Sequence, residues 1–335
     1  MPDPTLRVAA VQAAPVFLDR AASTEKACDL IREAGRNGAE FIVFPEGFIP
    51  AHPSWYHHHT ATGPLCASLA LRLFEQSVEV PGPETAALGQ AAREAGATVV
   101  MGLCERRPGT RGTMFNAQVF LGPDGTLLGH HRKFMPTLGE RIVHAYGHGD
   151  SFGSHPAPFG RASGLICGEN LNPLAIAALT AEHVVMHAMS WPAYFGLGGT
   201  PIGLLVQANA QAFALMSGSF VVSACGAVDD AMIAAMRIGA EDRAVLEAPG
   251  RTGGSLIVAP SGAILAGPMG AEEGILYADC DLGLIQRCKL AIDFGGHYQR
   301  PDIFSLQVRR TAPAARTDIH EAVAPEPAAP HDPEP

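Results

Sequence analysis

Charge is scarce in this chain of 335 residues: only 17% are Asp, Glu, Lys or Arg, and only 7% are aromatic. No run of Lys or Arg offers a track for phosphates, which argues against nucleic-acid binding. Nor does any stretch approach the roughly 20 consecutive apolar residues that a membrane-spanning helix needs, so no membrane association is expected. The start, Met1-Pro2-Asp3-Pro4, lacks the basic residues and apolar stretch of a signal peptide. The seven cysteines (28, 66, 104, 167, 225, 280, 288) are odd in number and without CxxC spacing. That pattern excludes a disulfide framework and predicts reduced thiols in a cytoplasmic protein.

What is present is apolar residue, 47% of the chain, enough for a large buried core. The formal net charge is -10, and from Ala312 onward five acids stand against one base, Arg316. Ala, Pro and acids dominate that end, so residues 312–335 read as a disordered tail behind one catalytic domain, 1–311. Within the domain, strand-like runs (Val8–Ala14, Phe41–Phe44, Thr98–Cys104) alternate with helix-like segments (Ala21–Asn37, Ala86–Ala95). This is the pattern of an α/β fold. Gly122-Pro123-Asp124-Gly125 separates Ala117–Leu121 from Thr126–His130, and Pro260-Ser261-Gly262 separates Ser255–Ala259 from Ala263–Ala266. Such hairpins among βα units predict mixed sheets. Val184–Ala188 and Phe220–Ala224 read as buried strands, with Gln207–Met216 a helix between them.

Four residues invite a chemical reading. Cys167 ends the apolar run Gly164-Leu165-Ile166 and precedes a helix-like segment opened by Pro173. A thiol there stands at the carboxyl edge of a sheet, where open α/β folds place their sites. A helix start and a cationic neighbour would favour its thiolate. The other six cysteines lack such a setting and read as packing residues. Glu46 follows Phe41-Ile42-Val43-Phe44 directly, between Pro45 and Gly47. A carboxylate held at a sheet rim is either a solvated loop acid or a general base with a raised pKa. Lys133, in His130-His131-Arg132-Lys133-Phe134, is either a surface lysine or a buried ammonium that stabilises an anionic intermediate. Glu140 is ambiguous alone. Together, Glu, Lys and Cys at the ends of strand-like runs supply a base, a charge stabiliser and a nucleophile.

These residues, in this order, resemble the nitrilase superfamily of carbon–nitrogen hydrolases. The resemblance rests on Phe44-Pro45-Glu46, His131-Arg132-Lys133 and Ile166-Cys167-Gly168-Glu169-Asn170. It extends to Lys133-Phe134-Met135-Pro136-Thr137 with Glu140-Arg141, and to Gly147-His148-Gly149-Asp150. His187 with Ser190-Trp191-Pro192 fits too, as does Asp293 through Asp302, so the likeness runs from about Leu6 to about Phe304. It implies a four-layer αββα sandwich, no cofactor, and hydrolysis of a small-molecule nitrile to acid and ammonia through a thioimidate and an acyl thioester. On this likeness Cys167 is the nucleophile, Glu46 the base, Lys133 the stabilising cation and Glu140 the acid that holds the lysine. Trp55, Tyr56, Gly168, Glu169, Asn170, His187, Trp191 and Pro192 become substrate-binding candidates. Homo-oligomers built from dimers, extending to spirals, are implied as well.

Nitrilases commonly carry Trp directly after the nucleophile, whereas Gly168 stands here, which changes the pocket and with it the substrate preference. An amidase or carbamoyl-amide hydrolase, or a cyanide-hydratase-like enzyme, would use the same residues; Pro136-Thr137 with Glu140-Arg141 favours nitriles. His52, His57, His58 and His59 raise the question of a metal, but three adjacent histidines cannot all point one way. No metal is expected.

Overall fold

A computed structural model describes residues 5–196 and 198–313. Its first half contains β1 (Thr5–Gln12), α1 (Arg20–Arg36), β2 (Phe41–Val43), α2 (Pro64–Gln76), α3 (Pro83–Ala95), β3 (Thr98–Arg106), β4 (Met114–Leu121) and β5 (Leu127–Arg132). There follow β6 (Ser154–Ala157), β7 (Gly160–Ile166), α4 (Pro173–Ala181), β8 (Met186–Trp191), α5 (Ile202–Ser217) and β9 (Phe220–Cys225). The remainder is α6 (Asp230–Ala235), α7 (Ala240–Leu246), β10 (Leu256–Val258), β11 (Ile264–Ala266), β12 (Gly274–Asp281) and α8 (Gly283–Ala291).

Local chemistry sets the boundaries. The Asp19 side chain caps α1 by accepting the Ala22 amide, and Ala27, Ile31 and Ala34 then recur at helical spacing on its buried face. In α4, Pro173 occupies the first turn and Asn172 caps the Leu174 and Ala175 amides. Gly218, at φ 64°, ends α5 in a left-handed turn. The central strands β2, β8 and β9 are buried at every position, which explains their unbroken apolar character.

The strands form two six-stranded sheets, ordered β12-β1-β2-β3-β4-β5 and β11-β10-β9-β8-β7-β6. Pairing is parallel for β1-β2-β3 and for β7-β8-β9, and antiparallel elsewhere. Read from β12 and from β6, both sheets show one order of pairings: antiparallel, parallel, parallel, antiparallel, antiparallel. The two sheets therefore repeat one arrangement, the first completed by β12 from the far end of the chain.

Three apolar layers show how the sheets stack. Val8, Phe41, Val100 and Phe120 of the first sheet interdigitate with Met186, Phe220, Val222 and Ile257 of the second. Ile31 and Leu88 cover the outer face of the first sheet from α1 and α3. Ile176, Val206 and Phe213 cover the second from α4 and α5. The result is the expected αββα sandwich. None of the seven cysteines is disulfide-bonded. Among the described residues no helix is long and apolar enough to cross a membrane. Beyond α8 the chain returns to the body, where Arg310 pairs with Glu182 and lies over the Phe152 ring. Of the expected tail, residues 314–335 lie outside the described residues, as do residues 1–4.

Candidate active site

Glu46 leaves β2 and crosses toward the opposite sheet. The Glu46 amide donates to Trp191 O at 3.1 Å, and Ser190 Oγ donates to Phe44 O at 2.7 Å. This crossing passes directly over β3 at Gly102, where a Cβ would lie 2.0 Å from Pro45 O. Only glycine admits so close an approach.

Lys133 leaves the end of β5, its amide donating to Asn116 O and its carbonyl accepting from the Gly147 amide, both at 2.8 Å. A Cβ on Gly147 would meet Arg132 O at 2.0 Å, so the Gly-His-Gly-Asp segment can fold back on the lysine only through glycine. Between them the loop carries Glu140 inward, and the Thr137 amide donates to Glu140 Oε2 at 2.7 Å.

These excursions converge. Lys133 Nζ donates to Glu46 Oε1 and to Glu140 Oε2, each at 2.6 Å, with the ammonium wholly buried. Asn116 Nδ2 bridges the same carboxylates, donating to Glu46 Oε1 at 2.6 Å and to Glu140 Oε1 at 2.7 Å. Sequence reasoning missed Asn116; its signal was one of two amides, Asn116 and Gln118, within the otherwise apolar, fully buried β4. Glu46 Oε2 is buried and has no hydrogen-bond partner among the described residues. That leaves one basic oxygen free for a proton.

Burial, together with the Glu140 charge, pushes the Glu46 carboxyl above its ordinary range, although Lys133 pulls it down. Burial pushes Glu140 up too, but Lys133, His144 and His52 outweigh it and hold Glu140 well below its ordinary value. Burial opposes charge on Lys133, yet Glu46, Cys167 and Glu140 keep it firmly protonated. The two carboxylates are thus driven apart, Glu140 held as an anion against Lys133 and Glu46 left the more readily protonated of the two.

Cys167 sits at φ 54°, a left-handed conformation costing about 1–3 kcal/mol for a residue with a Cβ. Asn170 supports it: Nδ2 donates to Cys167 O at 3.0 Å and to Leu165 O at 3.1 Å. His187 Nε2 lies 2.9 Å from Asn170 Oδ1, its Nδ1 lies 2.7 Å from Ser163 Oγ, and its ring stacks on Phe213. Because Asn170 Oδ1 only accepts, His187 carries its proton on Nε2 and takes the serine hydroxyl at Nδ1. Burial pushes its pKa down to about 3, so it stays neutral. The Cys167 thiol is raised well above its ordinary value by burial and by Glu46, against the pull of Lys133 and the Gly168 amide. At rest it is protonated and needs a base to become a nucleophile.

Glu169 ties nucleophile to cation. Its carboxylate accepts from the Phe134 amide at 2.5 Å, from the Ile166 amide at 3.0 Å, and from His131 Nε2 at 3.0 Å. The residues flanking Lys133 and Cys167 thus share one anion. The polar atoms of Glu169, Asn170 and His187 are committed to this scaffold, so the structure sets them behind the thiol rather than facing a ligand.

The other candidates are placed as follows. Trp55 is fully buried beside Phe17, and Tyr56 lies over Gly139 in the loop that carries Glu140. Trp191 is fully buried in one apolar cluster with Cys167, its indole N–H without a partner among the described residues, and Pro192 is buried after it. At Gly168 a Cβ would meet only Thr137 Oγ1, at 3.9 Å, so this position next to Cys167 could carry a side chain. Glu46, Glu140 and His52 present ligand atoms within 4.8 Å of one another, and the cation they surround is the Lys133 ammonium. His58 and His59 turn to other partners. The mostly exposed Asp293–Asp302 segment contributes Asp293 and His297 to an apolar groove of about 760 Å³ beside α8, which none of Glu46, Lys133, Glu140 and Cys167 lines.

A family model for carbon-nitrogen hydrolases matches residues 7–290. A protein named Nitrilase 3, from an unknown prokaryotic organism, is 37% identical over 95% of this chain and 94% of its own length. An aliphatic nitrilase of Rhodococcus rhodochrous is 37% identical over 94% of this chain and 87% of its own. The crystal structure of Saccharomyces cerevisiae Nit3, a member of branch 10 of the nitrilase superfamily, superposes with a TM-score of 0.68 at 19% identity. It covers 90% of this chain and 98% of that one. Fold, family match and relatives agree: the chain belongs to the carbon-nitrogen hydrolase family, as an enzyme of the nitrilase type.

Proposed function

We propose that this enzyme hydrolyses an organic nitrile to the carboxylic acid and ammonia, with Cys167 as nucleophile. The observation that carries the proposal is the unpaired Oε2 of a buried Glu46 whose other oxygen is held by Lys133. Glu46 takes the thiol proton as Cys167 Sγ bonds to the nitrile carbon, and the proton passes to nitrogen to give a thioimidate. Lys133 stabilises the negative charge that develops and is held by Glu140. Water, deprotonated by Glu46, adds to the same carbon. The tetrahedral adduct then expels ammonia, leaving an acyl thioester. A second water cleaves that ester, releasing the acid and returning the thiol. A cavity of about 20 Å³ borders Glu46 between His52, Ser54 and Met232, room for about one water.

Trp55, Tyr56, Gly168, Trp191 and Pro192 form the proposed substrate surround, with Glu169, Asn170 and His187 as its support. The substrate's side chain would extend over Gly168. No cofactor or metal enters these steps. We further propose a cytoplasmic homo-oligomer built from dimers. Leu174, Leu204 and Leu215, exposed by 65%, 62% and 56% on α4 and α5, supply apolar surface for such contacts.

Release of acid and ammonia from aliphatic, aryl and arylacetonitriles, measured beside the matched amides, tests the reaction. Nitriles should be turned over and Cys167→Ala should be inert. Turnover of amides but not nitriles would replace this reading with an amidase.

A further inference from the structure

The layer between the two sheets is largely apolar, yet two wholly buried polar side chains meet across it, Gln118 of β4 and Ser190 of β8. Gln118 Nε2 lies 2.7 Å from Ser190 Oγ and 3.4 Å from Leu165 O on β7. Ser190 Oγ in turn lies 2.7 Å from Phe44 O. A carbonyl only accepts, so the single hydroxyl hydrogen of Ser190 goes to Phe44. The serine must then accept from Gln118, which sets the amide with its nitrogen toward the second sheet. Both amide hydrogens of Gln118 therefore cross the sandwich, one to β8 and one, over the longer distance, to β7.

The points that this pair joins are chemically significant. Phe44 stands two residues before Glu46, and Leu165 two residues before Cys167. Ser190 is in register with Ile166, the residue next to the thiol. Gln118 is in register with Gly102, the glycine over which Pro45 crosses. Asn116, which bridges Glu46 and Glu140, lies two residues from Gln118 and so on the same face of β4. Opposite, β7 leaves the glutamine its room: a Cβ on Gly164 would lie 2.6 Å from Gln118 Oε1. An amide and a hydroxyl withdrawn from water contribute little net stability, and apolar residues of the same shape could replace both at small cost. What such a pair adds is a fixed distance between two sheets that apolar contact alone would let slide.

Resting on the catalytic reading of Glu46, Lys133 and Cys167 above, we propose that Gln118 and Ser190 form a staple that sets base and nucleophile at their working separation. They are positioning residues. Ser190 holds the segment that delivers Glu46, and Gln118 ties Ser190 and the nucleophile's strand to β4. Through Asn116 the same strand grips both carboxylates. Gln118 and Ser190 are wholly buried, with these donors committed to protein partners, so they act on rate through Glu46 and Cys167 and not by binding substrate. A displacement of about 1 Å between reacting groups is enough to slow a reaction severely.

The test uses the full-length protein and whichever nitrile or amide the wild type turns over fastest. Ser190→Ala removes the hydroxyl, and Gln118→Met keeps the bulk of the side chain without its amide. Each should lower kcat by about three- to tenfold, with KM changed less than about twofold. The two residues share one contact, so the double variant should lose less than the product of the single losses. Val222→Ala, in the same apolar layer, is the control for a purely structural role. It should lower the urea midpoint while leaving kcat within about twofold. Full kcat in either single variant, losses that multiply, or an equal loss of kcat in Val222→Ala would overturn the staple. Should Ser190→Ala fail to fold, Gln118→Met decides by the same split between kcat and KM. An active Cys167→Ala would instead mean that the catalytic reading had failed.

Discussion

Replacing Asn116 with Leu, nearly its equal in shape, should cost both stability and rate. Its Nδ2 gives one hydrogen to Glu46 Oε1 and the other to Glu140 Oε1, at 2.6 and 2.7 Å. A hydrogen bond to a charged group contributes about 1.5–3 kcal/mol, so two lost together would amount to about 3–6 kcal/mol if independent. They are not independent, because Lys133 still binds both carboxylates, and coupled losses fall below their sum. The expected destabilisation is about 2–4 kcal/mol, a large share of a typical 5–15 kcal/mol. The rate should fall further in proportion, by about a hundredfold in kcat, since the Glu46 oxygen then turns in an unrestrained site. Urea denaturation at one fixed protein concentration measures the first effect and steady-state nitrile hydrolysis the second. A midpoint displaced by less than about 0.5 kcal/mol, with kcat within about twofold, would show that Asn116 does not hold the carboxylates together.

Two further outcomes follow from geometry and charge. A Cβ at Gly168 has only Thr137 Oγ1 within 4 Å, at 3.9 Å, so the backbone admits a side chain there, and Gly168→Trp should favour small aliphatic nitriles over arylacetonitriles about tenfold or more; an unchanged preference across the panel would remove Gly168 from the substrate's surroundings. His155 and His187 are held neutral, chiefly by burial, with pKa values pushed down to about 4 and about 3. The unfolded chain therefore binds more protons, so stability is full above the ordinary histidine pKa and falls as pH drops from about 6.5 toward 4, by up to about 1.4 kcal/mol per unit for a fully buried ring. Equal urea midpoints at pH 7 and pH 5 would contradict that sign.

Much of this was legible in the sequence for identifiable reasons. Phe41–Phe44 and Phe220–Ala224 are central parallel strands, so burial on both faces wrote them as apolar runs, and the Gly-Pro-Asp-Gly turn marked its hairpin. Short or half-exposed strands such as β6 and β12 left no comparable trace. Glu46, Lys133, Glu140 and Cys167 were recognisable because each stands in a distinctive motif. Asn116 and His52 were not, since an amide in a strand and a loop histidine acquire meaning only from partners 70 and 88 positions away (Asn116–Glu46; His52–Glu140). Glu169 and His187 were read as substrate contacts from their company in the motifs; their bonds to Phe134, Asn170 and Ser163 lie across the fold, where sequence order is silent.

The repeated strand order has a consequence for a chain emerging from synthesis. The proposed base Glu46 and cation Lys133 both come from the first sheet and its loops, while the proposed nucleophile Cys167 follows a strand of the second. A chain truncated or stalled before residue 167 carries Glu46 and Lys133 but not Cys167, the thiol they are proposed to serve. The second half alone has a thiol that nothing activates. On that reading, hydrolysis should begin only once the second sheet has closed on the first.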